Sequence, residues 1–478
     1  MPEIGIQSYA AYIPRLRMDR AAIAAAHTWA LPALRGQGKG ERSFASWDED
    51  AVTMGVDAAR SCLSGRKATV DSVFFASTTA PFFDLQNASL VVAAIDVPSS
   101  VSTLDVSGSL RSGVSALMRA LSAPTPNSTL VVAADNRLAK PGSLQEMQYG
   151  AGSFAVLAGA DKPIARYVGS ASSSIQFIDH FRAEGEKHDY VWEERWIRDE
   201  GYLKIVPEAV NRLFKEVGIK GDGIDYLCMP STIGGIGAAV AKQLKIKPEA
   251  VVDNLAAKCG DTGAPHPLLL LGLALEQATP GQKILVIGFG AGCDALLLEA
   301  TAAISDYKSA STVSATLARG VTDKNYLKLL SFSDQLELDW GMRAEVDNKT
   351  LFTQLYRVQD QVGRFMGGKC KACSAVQFPR MPACVNCGST EPQTPYALAD
   401  EPAQVATFTA DWLMFYPAPP LHVGLVQFDN GARLVMEMVD VDPAKFDIGT
   451  PLRMVYRIKE KDSRRRYNRY FWKAVPIG

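Results

Sequence analysis

The sequence lacks a dominant charge of one sign. Its 478 residues include 50 lysines and arginines and 51 acidic residues, so the net charge is -1. A near-neutral chain has no general attraction for nucleic acid or for an anionic membrane, and we expect neither as a partner. The chain also lacks a basic leader followed by an apolar run, and the apolar stretch at 268–278 is broken at Glu276. We therefore expect a cytoplasmic protein without a membrane segment.

Cysteines are sparse outside one short stretch. Four of the eight are scattered, at Cys62, Cys228, Cys259 and Cys293. The others form two C-x2-C pairs, at Cys370, Cys373, Cys384 and Cys387. In a reducing compartment we expect the scattered thiols in the core, and the paired ones can supply the four thiolates of a tetrahedral zinc site. Because all four ligands are cysteine, no position stays open for catalysis, and we expect structural zinc. A redox-active pair is the alternative.

The first 300 residues alternate apolar strands with helical periodicity. Buried strands are predicted at 70–78, 128–135 and 283–290, and helices at 48–63, 111–122, 236–246 and 267–278. This alternation is typical of an α/β architecture. A strand, a Gly-Ala-Gly turn and a second strand occur twice, around 150–152 and 290–292. This repeated pattern indicates two related halves.

The last third of the chain changes character. Residues 301–365 lose apolar periodicity and indicate a connector with some helix. After the cysteine pairs come five short strand patterns separated by turn residues, which indicate a small barrel. The predicted segments are a first half at 1–160, a second half at 161–305, the connector at 306–365, a zinc ribbon at 366–392 and a barrel at 393–478.

Several stretches of the first 300 residues carry a family resemblance. GIQSYAAYIPRLRMDR, SWDEDAVTMGVDAA and PGQKILVIGFGAGCDALLLEA resemble segments of hydroxymethylglutaryl-CoA synthases and of the related ketoacyl synthase III enzymes. The resemblance implies a thiolase-like fold of two similar halves with the active site between them. It also implies a coenzyme A thioester as substrate and a homodimer.

The cysteine-rich region carries a second resemblance. GGKCKACSAVQFPRMPACVNCGS, with the closing RYFWKAVP, resembles the rubredoxin-like zinc ribbon and OB-fold that accompany thiolase-like enzymes. It implies that the barrel is an OB-fold, and it allows another protein of a thiolase pathway as a partner. An OB-fold can also bind oligonucleotides, which the near-neutral charge disfavours.

The residues that carry the family's chemistry are replaced. In DVSGSLRSG the position of the nucleophilic cysteine holds Leu110, which cannot form a thioester. The neighbouring Ser109 is either a substitute nucleophile or an N-cap hydroxyl. Ser231 or Thr232 takes the place of the family's histidine, and Asp261 takes the place of its asparagine. The replacements argue against condensation through an acyl-cysteine, but not against the fold or thioester binding.

Asp261 is the candidate base. A carboxylate in an apolar cleft has a raised pKa and can accept a proton, although a turn or N-cap role is the alternative. His266, five residues on, is a candidate proton relay or a helix-start histidine. Tyr149 precedes the first Gly-Ala-Gly turn and is a candidate donor to a substrate oxygen or a core tyrosine. Ser231 completes the candidate catalytic set.

Two further groups are candidates for holding the thioester. Gly290 opens the second Gly-Ala-Gly turn, whose N–H groups either face an oxyanion or form a tight turn. Three consecutive arginines of the last hairpin, which are either a coenzyme A phosphate site or a solvated turn, are Arg464, Arg465 and Arg466. The charged segment that contains His188, Glu193 and Glu194 is predicted to be a solvated face.

These residues favour a carbon–carbon lyase. Retro-aldol cleavage of a 3-hydroxyacyl-CoA needs a base for the hydroxyl and a site for the thioester enolate, but no acyl-enzyme, and Asp261 is the expected base. A condensing acyltransferase of the synthase type is the first alternative. A non-catalytic acyl-CoA-binding scaffold for a thiolase is the second, since it explains the loss of every catalytic element.

Overall fold

The computed structural model describes residues 3–66, 69–122 and 127–477. The chain divides into two compact units. The first unit contains Met1–Ser46, Asp50–Val91 and Val97–Ser333, and the second contains Trp47–Glu49, Val92–Asp96 and Asp334–Gly478. The connector predicted at 306–365 is shared between them, because its residues up to 333 belong to the first unit and the rest to the second.

The strands of the first unit are short and rich in apolar residues. They are β1 (Gly5–Tyr12), β2 (Leu16–Asp19), β3 (Glu41–Ser43), β4 (Val70–Ala76), β5 (Ser102–Val106), β6 (Ser128–Asn136), β7 (Ala151–Gly159), β8 (Ala165–Ser174), β9 (His180–Phe181), β10 (Tyr190–Val191), β11 (Tyr226–Cys228), β12 (Lys283–Phe289), β13 (Gly292–Ala300) and β14 (Val321–Asp323). The strands predicted at 70–78, 128–135 and 283–290 are β4, β6 and β12.

The helices up to residue 332 are α1 (Arg20–His27), α2 (Ala51–Leu63), α3 (Asn87–Ala94), α4 (Ser112–Ser122), α5 (Leu144–Gln148), α6 (Glu194–Trp196), α7 (Val206–Val217), α8 (Ile236–Leu244), α9 (His266–Gln277), α10 (Val313–Ala318) and α11 (Tyr326–Phe332). The four predicted helices are α2, α4, α8 and α9. Helix α2 begins at Ala51 rather than 48, because Asp50 and Thr53 close a capping box there. In the described part of the chain, no helix is long and apolar enough to cross a membrane.

The large sheet of the first unit repeats one arrangement. Its strand order is β11-β12-β13-β8-β1-β7-β6-β4-β5. In one half β6 pairs antiparallel with β7, which lies next to β1, and in the other β12 pairs antiparallel with β13, which lies next to β8. On their other sides β6 and β12 each have a parallel neighbour, β4 and β11. The predicted pair of related halves is confirmed.

Helices α9 and α7 differ in how much of their surface is buried. Helix α9 is apolar on nearly every face, and its residues from His266 to Leu275 are buried. It packs in the same core cluster as α4 and residues from both halves of the sheet, so it has no face left for water. Helix α7 shows the amphipathic pattern of a surface helix, with Val206, Val210 and Leu213 buried on one side. The loop before α9 is therefore held at the centre of the unit.

The second unit contains a small ribbon and a closed barrel. Its strands are β15 (Met366–Lys369), β16 (Val376–Gln377), β17 (Thr394–Ala397), β18 (Ala403–Asp411), β19 (Leu421–Phe428), β20 (Arg433–Met438), β21 (Pro451–Asp462) and β22 (Tyr467–Pro476), and its helices are α12 (Phe352–Arg357) and α13 (Gln359–Gly363). The ribbon order is β16-β15-β17, and the barrel closes as β18-β19-β20-β22-β21. The five barrel strands match the five predicted strand patterns.

A buried lysine organises one side of the barrel. The ammonium of Lys473 lies 2.9 Å from Asp48 and 2.9 Å from Glu437, and its side chain is 1% exposed. It also lies 4.4 Å from the ring centroid of Trp47. A buried charge must be paired, and two carboxylates pair this one. The segment Trp47–Glu49 is thus part of the second unit although its neighbours in sequence belong to the first.

Candidate active site

A cavity of about 160 Å³ lies in the first unit. Its walls combine ionisable with apolar side chains and come from loops, strand ends and the short helices α5 and α6, between Leu110 and Phe289. Two of the predicted catalytic residues, Tyr149 and Asp261, line it. Ser231 and His266 are not among the lining residues. The cavity brings together Leu110, Thr232 and Asp261, three positions at which the resemblance implies catalytic residues.

The place of the missing nucleophile faces this cavity. Leu110 is one of its lining residues. The hydroxyl of the neighbouring Ser109 donates to the carbonyl of Gly290 at 2.8 Å, and the N–H of Arg111 donates to Ser109 Oγ at 3.4 Å. The Ser109 hydroxyl therefore contacts the backbone just before α4. Leu110, at the position where the resemblance implies a nucleophile, cannot form a thioester.

The scattered cysteines do not supply a substitute. All four are buried, and in the part of the chain that the structure describes none of them lines the cavity. Burial raises the pKa of Cys62 to about 11 and that of Cys259 to about 12. A thiol with so high a pKa stays protonated at neutral pH and is a poor nucleophile.

Backbone hydrogen bonds hold Asp261 in the cavity wall. Its N–H donates to the carbonyl of Gln148 at 2.7 Å, and its carbonyl accepts the N–H of Gly150 at 2.8 Å. One carboxylate oxygen accepts the N–H of Gly263 at 2.8 Å. The other lies 3.3 Å from a guanidinium nitrogen of Arg137. The carboxylate is therefore an oriented anion beside a cation.

The expectation that Asp261 has a raised pKa is wrong. Burial by itself would raise the pKa of this carboxyl, but the cation of Arg137, with contributions from His266 and the Gly263 N–H, outweighs burial and lowers the pKa below its ordinary value. At neutral pH the side chain is an ionised and weakly basic carboxylate. Such a group orients a cation or a hydroxyl better than it accepts a proton.

Arg137, which no sequence pattern indicated, holds the polar wall of the cavity together. Its side chain is 3% exposed and pairs with Asp189 at 3.1 Å as well as with Asp261. Its guanidinium carbon lies 3.5 Å from the ring centroid of Tyr149. Burial raises the pKa of Tyr149, so its hydroxyl stays protonated. Asp189 also pairs with Arg182 at 2.8 Å, which extends the network.

A second buried carboxylate positions the loop of Asp261. Asp135, at the end of β6, accepts hydrogen bonds of 2.7–3.0 Å from the backbone and hydroxyls of residues 77–79. It also accepts the N–H of Ala264 at 2.8 Å. Gly263 has a φ of +80°, and a Cβ there would lie 2.5 Å from Asp135 Oδ2, so this position requires glycine. Asp135 thus ties the loop after β4 to the loop before α9.

His266 and Ser231 form hydrogen bonds with backbone groups of nearby loops. Nδ1 of His266 accepts the N–H of Thr262 at 3.2 Å, and its Nε2 donates to the carbonyl of Asn254 at 2.9 Å. Burial lowers the pKa of His266, so the ring is neutral. The hydroxyl oxygen of Ser231 accepts the N–H of Ile233 at 3.0 Å. Both side chains hold loops in place, which favours a positioning role over the predicted contact with substrate.

Sequence reasoning missed an aspartate–histidine pair in the cavity wall. Asp179 and His180 both line the cavity, and Asp179 Oδ2 lies 2.7 Å from His180 Nδ1. Burial would raise the pKa of Asp179, but its hydrogen bond with His180 outweighs burial and lowers the pKa. When Nδ1 donates to the carboxylate, Nε2 is left as the proton acceptor. A carboxylate that orients an imidazole through a hydrogen bond is the arrangement of a general base.

The pair lies in the small hairpin of β9 and β10, where His180 is opposite Val191. Val191, Trp192 and Glu194 also line the cavity. The charged segment around Glu194 is therefore more than the solvated face that we expected. The only sequence signal for the Asp179–His180 pair is the Asp-His dipeptide itself. A two-residue strand is too short to show an alternating pattern that would predict it.

The predicted thioester-holding groups have local roles. The N–H of Gly290 donates to the carbonyl of Gly292 at 3.0 Å, as expected for a tight turn, so this N–H does not face an oxyanion. Arg465 pairs at 2.6 Å with the buried Asp462, which closes the hairpin of β21 and β22. Arg464 and Arg466 are exposed in the same turn. Phosphate binding by these arginines stays a prediction.

The cysteine cluster of the second unit fits a zinc ion. The Sγ atoms of Cys370 and Cys387 lie 3.8 Å apart, those of Cys373 and Cys384 lie 3.6 Å apart, and all four fall within 4.8 Å of one another. Four sulfurs about 2.3 Å from one tetrahedral zinc would be about 3.8 Å apart. The backbone N–H of Asn386 donates to Cys384 Sγ at 3.4 Å. Zinc held by four thiolates has a closed shell and supplies structure.

Comparison with known families identifies three parts of the chain. A family model described as the 3-oxoacyl-[acyl-carrier-protein] synthase III C terminal matches residues 214–299. Models described as the ChsH2 rubredoxin-like zinc ribbon domain and the ChsH2 C-terminal OB-fold domain match residues 360–393 and 392–457. The second and third models cover the predicted ribbon and most of the predicted barrel.

Much of the chain is similar in sequence to hydroxymethylglutaryl-CoA synthases. The hydroxymethylglutaryl-CoA synthase of Aeropyrum pernix is 28% identical over 360 residues, which cover 73% of this chain and 96% of that protein. That of Pyrococcus furiosus is 26% identical over 303 residues, which cover 61% and 84%. A solved structure of MvaS in complex with 3-hydroxy-3-methylglutaryl coenzyme A matches with a TM-score of 0.59 at 19% identity, over 69% of this chain and 92% of that one. These matches confirm the thiolase-like fold, the zinc ribbon and the OB-fold.

Proposed function

We propose that this chain, which joins a hydroxymethylglutaryl-CoA synthase-like domain of the thiolase superfamily to a zinc ribbon and OB-fold of the ChsH2 type, forms a carbon–carbon bond at the α-carbon of a coenzyme A thioester without an acyl-enzyme. The observation that carries this proposal is one cavity that contains the Asp179–His180 pair beside Leu110. The names of the relatives favour the condensing direction. The reverse reaction is the retro-aldol cleavage that the sequence favoured.

The replaced nucleophile supports an aldol addition over the acyl-cysteine route. The route through a thioester needs a thiol at position 110, where this chain has leucine. An aldol addition needs a base for the α-proton and a donor for the carbonyl oxygen, and neither has to be a nucleophile. The cavity offers a candidate for each need.

His180 is the proposed proton carrier. Its Nε2 takes a proton from the α-carbon of the thioester, and the electron pair of that C–H bond forms the new bond to the carbonyl carbon of the second reactant. The carbonyl π pair moves to oxygen, and the proton returns from His180 to that oxygen. Nothing is oxidised or reduced, and Asp179 stabilises the imidazolium that exists between the two transfers. Run backwards, the same transfers cleave a 3-hydroxyacyl thioester.

The cation of the cavity lining is proposed to stabilise the alkoxide. A negative charge grows on the carbonyl oxygen as the new bond forms, and the guanidinium of Arg137 is a preorganised cation in the cavity wall. Asp261 holds Arg137 in place through their ion pair. This assignment replaces the role of base that the sequence suggested for Asp261, because its lowered pKa makes it a weak base.

Product analysis by mass spectrometry tests the proposal. The full-length protein is given acetyl-CoA or propionyl-CoA with a panel of ketones, aldehydes and 3-ketoacyl thioesters, and separately a panel of 3-hydroxyacyl thioesters. We expect a 3-hydroxyacyl thioester in the first assay or its cleavage products in the second. Binding of acyl-CoA with no product in either assay would overturn the proposal in favour of the scaffold.

Intact-protein mass distinguishes the route. The wild-type protein incubated with acetyl-CoA is expected to keep its mass. The variant Leu110→Cys restores a thiol at the cavity and is expected to gain an acetyl group, which shows that the assay detects an adduct. An acetyl adduct on the wild-type protein would support the acyl-enzyme route and contradict the proposed one.

A further inference from the structure

Apolar side chains make up much of the cavity lining besides its charged pairs. Leu110, Val191, Trp192, Ile233 and Phe289 contribute to its lining. Because leucine occupies the reacting position itself, the apolar wall reaches the point where the reactants meet. A small acetyl group would leave much of this wall exposed to water, which costs free energy in proportion to the area. The wall therefore favours a reactant with an apolar part of its own.

The size of the cavity limits that apolar part. The cavity measures about 160 Å³, and an apolar protein cavity of about 150 Å³ takes up one benzene molecule. Tyr202 and Phe289, whose ring centroids lie 4.3 Å apart, add aromatic surface to the lining, as does Trp192. Aromatic walls suit a ring because stacked and edge-to-face contacts add to area burial. A space of this size takes one six-membered ring.

The charges of the cavity disfavour a second carboxylate on the reactant. Three acidic side chains, Asp179, Glu194 and Asp261, line the cavity. The guanidinium of Arg137, the cation assigned above to the alkoxide, lines it as well, so the lining holds three carboxylates and one cation that the proposed reaction already uses. A free carboxylate, such as that of a hydroxymethylglutaryl thioester, would add negative charge to this set. Like charges in one site repel, so the acids select against such a reactant.

We propose that the reactant held in this cavity is uncharged apart from its coenzyme A and carries an apolar group of about one six-membered ring. The inference rests on the proposed function only for the statement that the ligand is a thioester reactant. The order of affinities that it predicts follows from the walls of the cavity. It deepens the proposed function by excluding the reactant that the names of the relatives suggest.

Isothermal titration calorimetry on the full-length variant His180→Gln tests this proposal, since slowed turnover leaves binding to be measured. The probes are 3-hydroxy-3-phenylpropanoyl-CoA, 3-hydroxybutanoyl-CoA and 3-hydroxy-3-methylglutaryl-CoA. We expect the phenyl thioester to bind roughly tenfold or more tighter than the butanoyl thioester, from stacking and area burial. The glutaryl thioester is expected to bind weakest. Equal or tighter binding of the glutaryl thioester relative to the phenyl thioester would overturn the proposal.

Two surface variants assign the selectivity to named walls. Trp192 is 49% exposed, so Trp192→Ala should fold and should reduce the preference for the phenyl thioester severalfold. Trp29→Ala is its matched control, because Trp29 is 87% exposed and does not line the cavity. If Trp192→Ala keeps the same preference for the phenyl thioester, the aromatic side chain of Trp192 does not cause that preference.

The acidic wall has its own pair of variants. Glu194→Gln removes one lining carboxylate and should bring the affinity for the glutaryl thioester closer to that for the butanoyl thioester. Glu193→Gln removes an adjacent carboxylate whose side chain is 61% exposed and should change nothing. An unchanged affinity ratio in Glu194→Gln would contradict the charge argument.

The two proposals fail separately. The order of affinities is measured without turnover, so it stands even if no product forms with any reactant pair. Conversely, equal rates of turnover for the glutaryl thioester and the phenyl thioester would support the proposed carbon–carbon chemistry and contradict the proposed selectivity.

Discussion

The cysteine cluster and the cavity differ in how their residues are distributed along the chain. All four cysteines of the cluster lie between 370 and 387. The cavity lining extends from Leu110 to Phe289 and includes short loops and a two-residue strand. A site that one short segment makes can be recognised from spacing. A site that tertiary contacts assemble has residues whose spacing carries no signal, so its chemistry must be read from geometry.

The two sites also differ in what each residue contributes. Every cysteine of the ribbon is a ligand of the same ion, so loss of one should resemble loss of any other. In the cavity Arg137, His180 and Asp261 make different contacts and should give graded effects. The predictions below test this contrast in order of decreasing effect.

The largest effect is expected in the ribbon. Cys373→Ser should abolish zinc binding and unfold residues 366–392, because structural zinc contributes roughly 10–16 kcal/mol to the folding of small zinc domains. Elemental analysis should give one zinc per wild-type chain and none in the variant. Cys228→Ser, outside the cluster, should keep its zinc. Full retention of zinc in Cys373→Ser would show that the cluster does not hold the ion.

Arg137→Met should cause the largest loss of stability among cavity variants. It leaves the carboxylates of Asp189 and Asp261 without their buried cation, which costs about 3–5 kcal/mol in comparable cases. Urea unfolding measures the change. Arg195→Met, whose side chain is 74% exposed, is the control and should stay within about 0.5 kcal/mol of wild type. Equal stability of both variants would contradict the assigned network.

His180→Gln should reduce kcat by roughly 10²-fold with little change in the free energy of unfolding, the loss typical of a removed general base. Steady-state kinetics of the reaction found by product analysis measures it. Asp179→Asn should give a smaller loss, since it removes the orienting group and leaves the imidazole. His188→Gln, which does not line the cavity, is the matched control. A full rate in His180→Gln would transfer the role of base to another group.

The smallest effect concerns acid stability. The pKa values of Asp179 and Asp261 are lowered in the folded protein. Their stabilising contributions are therefore complete above the pKa of an unfolded aspartate, about 3.9, and disappear as the pH falls through the lower folded values. Asp261→Asn should lose less stability than wild type when the pH is taken from 5 to 3. Parallel curves for the two proteins in urea unfolding would show that Asp261 titrates normally.

The helices and strands of this fold were predictable because the apolar pattern of each one lies within its own short stretch of sequence. The apolar runs of β4, β6 and β12 and the all-apolar face of α9 report burial directly. The start of α2 moved by three residues because a capping box at Asp50 decides it, and the other bounds moved by at most two residues. Among site residues, Leu110, Tyr149 and Asp261 were found because the family resemblance points to their positions.

The sequence by itself determined the two related halves, the five-stranded barrel, the zinc ligands and the absence of a nucleophile at position 110, since each of these depends on a short stretch of residues. Only the tertiary structure decided which ionisable groups meet. It placed Arg137 against Asp261 and thereby lowered a pKa that burial alone would have raised. It also brought His180 to the cavity, whereas His266 is engaged with its own loop. Electrostatic interactions depend on distance in space, and the spacing of residues along a chain does not report that distance.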